Sequence, residues 1–127
     1  MAKLSSYKDL VVWRKAHETS LRIIDVLETF PTGRAFDVVA NQILRSSTSV
    51  GANIAEGHTS SRGKAFASYL DHALRSGGET DNWIQVIKDS TSLRKRVDLQ
   101  ELQAIEAMNV EVIRMLIALI RKIDARN

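Results

Sequence analysis

What most constrains this chain is how rarely its helical periodicity is interrupted. One proline and six glycines occur in 127 residues. Pro31 and Gly33 interrupt the chain once, in "FPTGR"; Gly57 closes a second stretch, followed by the polar "HTSSRG" and a new start at Lys64. A third break is "KDSTSLRKRVD" at 88–98, rich in Ser, Thr and charge. Four segments of roughly 20 to 29 residues remain, long against the usual globular helix. None shows the period-two alternation or β-branched density of a strand.

Apolar and small residues recur every three or four positions in these segments. The first carries Trp13, Ala16, Ser20, Ile23, Ile24 and Leu27, and the third Phe66, Tyr69, Leu70, Ala73, Gly77, Thr80, Trp83, Ile84 and Ile87. The fourth is the most regular: Leu102, Ile105, Asn109, Val112, Leu116, Leu119 and Ile123. Asp98 is placed to cap its N-terminus, with Glu101 three residues on in a capping-box arrangement. Short links between long amphipathic helices predict an all-α, antiparallel up-down-up-down four-helix bundle. The length gives one domain over residues 1–127, with a core of its own.

The second helix, expected over 35–57, is built from poor helix formers in "RSSTSVGANIAEG". Small side chains let neighbouring backbones approach, and the third helix has its own small run in "ALRSGGE" at 73–79. The two runs are expected to face each other, with Ser46, Ser49 and Asn53 near Ser76 and Gly77. A glycine costs about 1 kcal/mol relative to alanine in an exposed helix, so tight packing accounts best for Gly77 and Gly78; a kink is the alternative. The fourth helix has a second apolar stripe in Val110, Ile113, Ile117 and Ile120. One apolar face suffices for a helix in a monomeric bundle, so this stripe predicts a homo-oligomer interface.

"NIAEG" invites an enzymatic reading, and the motifs do not support one. A phosphate-binding loop needs GxxxxGK[ST] after a strand; "GANIAEG" has neither the lysine nor the strand. A di-iron bundle needs Glu-x-x-His pairs, but Arg14, Ala55 and Tyr69 stand three residues before His17, His58 and His72. No GxSxG turn occurs. Cysteine is absent, which removes disulfides and thiolate metal sites and suits a cytoplasmic setting. We therefore expect no catalytic residues, no metal and no cofactor. Asn53 and Glu56 share a helix face and are expected in a structural polar network with Arg45, Ser49, Ser76 and Arg75, since buried amides and carboxylates need partners. A binding role for Glu56 is the alternative.

No apolar run precedes the first charges, so no signal peptide is expected. "MLIALI" at 115–120 is too short to span a bilayer, so no membrane partner is expected. The net charge of +3 permits an acidic partner without requiring one. Distribution says more. Up-down topology gathers Lys3, Lys8, Arg62, Lys64, Arg121, Lys122 and Arg126 at one end, against Asp9 and Asp124. At the other end Arg34, Lys88, Arg94, Lys95 and Arg96 are largely neutralised by Glu28, Asp37, Asp89 and Asp98. Repeated around a ring, the first set would attract phosphate. Basic and aromatic residues are not interleaved for base stacking, so the expectation is RNA or DNA binding through the backbone, with little sequence preference.

The chain resembles the four-helix bundle proteins encoded by intervening sequences within bacterial 23S rRNA genes. The resemblance spans nearly all of it and is carried by "YKDLVVWRKA" at 7–16, "FP" at 30–31, "NQILRSSTSVGANIAEG" at 41–57 and "ALRSGGE" at 73–79. It implies an antiparallel bundle assembling as a cyclic homopentamer. Departures are Gly33 and Arg34 where the family tends to follow "FP" with glutamate, Arg75-Ser76 for Gly-Ser, and Gly77 and Thr80 where leucines are favoured. A related pentameric bundle is the accessory protein of diversity-generating retroelements, which makes a reverse transcriptase and its RNA alternative partners. A protein-binding scaffold without nucleic acid is the third reading.

Overall fold

A 3-10 turn at Tyr7–Asp9 leads into α1 (Val11–Leu27), followed by α2 (Arg34–Ser60), α3 (Gly63–Asp89), the single turn α4 (Thr91–Arg94) and α5 (Leu99–Arg126). This computed structural model describes residues 6–126, and no strand occurs among them. Each long helix packs on its neighbours in chain order, and α5 closes back on α1. The core shows that the helices alternate in direction. One apolar cluster joins Ile23 and Val26 late in α1 to Val39 and Ile43 early in α2, Ile84 and Ile87 late in α3, and Leu102 and Ile105 early in α5. The other joins the opposite halves, through Val12, Ala16, Val50, Ile54, Leu70, Ala73, Val112 and Leu116. Leu93 of α4 plugs the first end.

Between the two clusters lies a polar waist, one level on each helix. Ser20 donates to the Ser47 carbonyl at 3.0 Å, Ser46 and Thr80 share a hydrogen bond of 2.9 Å, and Asn109 donates to the Gly77 carbonyl at 3.0 Å. Thr80 and Asn109 are 0% and 2% exposed. Among the described residues no buried side-chain polar atom lacks a partner, as the cost of an unmade buried hydrogen bond requires. Such pairs fix the axial register of neighbouring helices.

Several local expectations change. Gly57 does not end α2. The helix runs on to Ser60, and positive φ occurs only at Gly33 and Gly63 among the described residues, so Gly57 is no left-handed cap. It serves a close contact instead: a Cβ there would lie 2.5 Å from Tyr69 Cβ and 3.0 Å from Phe66 Cδ1. The α2–α3 link is only Ser61 and Arg62, both extended, before Gly63 at φ +58°. Gly77 faces α5 rather than α2, because adjacent helical residues point about 100° apart and Ser76 already faces Ser49. Its missing Cβ would meet Ile113 at 3.1 Å, whereas Gly78 has nothing within 4 Å. Asp98 accepts from the N–H groups of Gln100 and Glu101, at 2.9 and 3.3 Å. The Glu101 carboxylate is held by Arg22 on α1, at 2.9 and 2.7 Å.

Candidate nucleic-acid interface

Alternating helix direction brings the start of α1, the α2–α3 link and the last turns of α5 to one end. There they enclose an open recess of about 470 Å³. Its floor is apolar: Leu10, Phe66, Leu119 and Ile123. Its rim is cationic, with Arg62 from the link and Lys122 and Arg126 from α5. Phe66 is positioned by Gly57, which lets α2 and α3 close together, and meets the His58 ring edge-on at 6.0 Å. The first turn of α3 has no side-chain cap, and Gly63 lines the recess.

Of the expected cations, Lys3 lies outside the described residues. Arg62, Lys122 and Arg126 converge on the recess, whereas Lys64 and Arg121 are exposed at the same end without lining it. Lys8 is exposed in the 3-10 turn, its Nζ 6.0 Å from the Tyr7 ring centre. Among the described residues none of these six forms an ion pair. Some other basic groups are committed: Lys15 to Glu111 at 2.9 Å, Arg22 to Glu101 at 2.7 Å, Arg75 to Asp71 at 3.1 Å and Lys88 to Glu106 at 3.1 Å. At the opposite end Lys88 alone is paired; Arg34, Arg94, Lys95 and Arg96 form no ion pair among the described residues, so the neutralisation expected there is not made by direct contacts. The Glu101 hydrogen bond and charge raise the Arg22 pKa. Gln85, then Lys88, hold the Glu106 carboxyl below its ordinary value against the opposing effect of burial.

Linear reading missed the floor of the recess. Phe66, Leu119 and Ile123 read as core stripe, and nothing along the chain shows that Phe66 shares a recess with Lys122 and Arg126. Only the fold interleaves aromatic and basic groups here.

The expected polar network is not in the interior. Asn53 is half-buried and donates to the Ser49 carbonyl and hydroxyl of its own helix, at 2.8 and 3.0 Å; Ser76 reaches Ser49 Oγ at 3.0 Å. Among the described residues, that is the only bond between two of the expected members that crosses between helices. Arg45 and Arg75 turn to other partners, Glu79 at 3.5 Å and Asp71 at 3.1 Å. Glu56 is exposed, and its carboxylate has no hydrogen bond or ion pair among the described residues. With Asn53, His72, Ser76 and Glu79 it lines an open polar cleft between α2 and α3. Sharing a helix face does not say whether that face points inward, and this one points out.

The α5 stripe is partly absorbed by its own chain. Val110, Ile113, Ile117 and Ile120 are all half-buried; Ile113 rests on Gly77 and Ile120 on the second core cluster. Among the described residues the large apolar side chains most open to solvent are Val11, Leu21, Val38, Leu44 and Leu99. Among the described residues no group of three or more His, Asp and Glu could hold a metal. No helix there is long and apolar enough to cross a membrane.

A family model described as 23S rRNA-intervening sequence protein matches residues 8–118. The chain belongs to that family. The match takes in all of α1 to α4, most of α5 and, of the interface cations, Lys8, Arg62 and Lys64; Arg121, Lys122 and Arg126 fall beyond it. A crystal structure at 1.70 Å, described as a protein with unknown function from the S23 ribosomal protein family of Bacteroides thetaiotaomicron, is similar at a TM-score of 0.76 and 28% identity. The similarity covers 87% of this chain and 98% of the other. No curated protein matches. Family membership thus agrees with the resemblance carried by the "NIAEG" block.

Proposed function

We propose that this member of the intervening-sequence protein family is a non-enzymatic, cytoplasmic bundle that binds RNA or DNA through its basic end, with little sequence preference. One observation carries the reading: Arg62, Lys122 and Arg126, from two separate elements, converge around a single recess, and neither they nor Lys8, Lys64 and Arg121 beside them have a carboxylate partner among the described residues. Unpaired lysines and arginines release counterions from a phosphate backbone and so drive binding that ignores sequence. Self-association through the outer part of the Val110, Ile113, Ile117 and Ile120 stripe, as a homopentamer in keeping with the family resemblance, would repeat this end around a ring. Repetition raises avidity without new contacts.

Fluorescence anisotropy at low salt with a single strand, a structured RNA and a duplex tests the reading. All three are expected to bind at micromolar protein, and all to weaken as salt rises. If none binds, the second reading leads: a protein scaffold, favoured by the unpartnered Glu56 in the α2–α3 cleft.

A further inference from the structure

We infer that the recess at the basic end receives one unpaired nucleobase, whose flanking phosphates lie against Arg62, Lys122 and Arg126. This rests on the nucleic-acid reading above and deepens it. Phosphate contact needs only exposed cations, and Lys64 and Arg121 already supply those on the open surface. An apolar floor sunk inside a cationic rim calls for a ligand that is apolar in its body and anionic beside it. The volume, about 470 Å³, lies in the range of cavities that enclose small organic ligands. A nucleotide has the required form: a flat π-face for the Phe66 ring, polar edges to set beside Ser61, which also lines the recess, and phosphates on either side. Among the described residues no carboxylate lines the recess, which disfavours a cationic ligand. One recess holding one base by its face gives no sequence code, since every base has a π-face. Duplex must first extrude a base, so single strands and frayed ends should be preferred.

The test uses the full chain and a short single strand carrying 2-aminopurine at its centre. A strand of equal length and charge in which every position is abasic serves as comparison. Binding is expected to change the 2-aminopurine emission, and the abasic strand to bind about five- to 150-fold more weakly, the span of base–aromatic stacking. Phe66→Leu keeps apolar volume but removes the ring, and should narrow that gap while the salt dependence persists. Should Phe66→Leu fail to fold, the strand comparison on the unaltered protein still decides. Equal affinity for the two strands, with steep salt dependence, overturns the recess and leaves the basic-end reading standing. Failure of both strands to bind overturns both. Equal affinity joined to tight uptake of a fatty-acid carboxylate also overturns the inference and assigns the recess to an amphiphile.

Discussion

Replacing Gly57 by alanine tests how the recess is built. A methyl group there would lie 2.5 Å from Tyr69 Cβ, 2.9 Å from Tyr69 Cγ and 3.0 Å from Phe66 Cδ1. Carbon atoms rest at about 3.5–4.0 Å, so the contact must open by about 1 Å. Tyr69 Cβ is fixed to its backbone and has no rotamer by which to retreat, so α3 itself must move away from α2. Overpacking of this kind costs about 1–3 kcal/mol, and the immobility of the neighbour argues for the upper part of that range. Alanine returns roughly 1 kcal/mol in helix propensity. The net loss is about 2 kcal/mol, which for a domain of this size lowers the melting temperature by roughly 8 °C. Gly78→Ala is the matched control. It sits in the same kind of helix with nothing within 4 Å, so only the propensity gain acts, and melting should rise by roughly 4 °C. Thermal unfolding by circular dichroism, at one protein concentration throughout, measures both. Phe66 moves with Tyr69, so Gly57→Ala should also weaken binding of single strands. Gly57→Ala melting at or above the parent temperature would refute the close-approach argument.

Other expectations are as direct. Asn109→Ala removes the buried donor to Gly77 and should cost about 1–3 kcal/mol, while Glu56→Ala, at an exposed and unpartnered position, should stay within about 0.5 kcal/mol of the parent; urea denaturation of both variants checks the contrast. Glu106 has a folded pKa below the ordinary 4.5, so its contribution to stability is complete above that pH and fades as pH falls through the folded value. Glu106→Gln should therefore lose less melting temperature than the parent when pH is taken from about 5.5 to 3. Ile113→Glu with Ile117→Glu should dissociate the assembly, because an unpaired charge at an apolar interface is costly. A light-scattering mass near 14.2 kDa for the unaltered protein would remove that expectation altogether.

The periodicity of apolar positions made the four long helices legible, because each must bury one stripe. The same stripes held the waist residues Ser20, Thr80 and Asn109, and Ser46 was expected to face the third helix, but their common level was not legible. That level depends on how far each helix slides along its neighbour, which the two-residue link Ser61–Arg62 and the contact at Gly57 decide. Gly57 does not close its helix as expected, because a glycine can end a helix or serve a close contact, and composition does not distinguish the two. The basic end was legible from topology alone: links alternate ends in an up-down bundle, so charges near residues 8, 62 and 122 had to gather. Its apolar floor was not, since Phe66 and Ile123 look like any core residue until the last turns of α5 prove to leave a gap above them. Glu56 went wrong for a rotational reason. Its face of α2 looks outward, between α2 and α3.

The measurement that bears most directly on the basic end is the salt dependence of single-strand affinity, for the parent and for a triple variant with Arg62→Gln, Lys122→Gln and Arg126→Gln. Each phosphate contact to a single strand contributes about 0.7 to the slope of log affinity against log salt. Loss of three contacts should flatten that slope by about 2 units and weaken all sequences alike. Exposure of these side chains and their freedom from ion pairs among the described residues predict unchanged melting. A triple variant that binds with the parent's slope would contradict the account, because the phosphates would then be held somewhere other than the basic end.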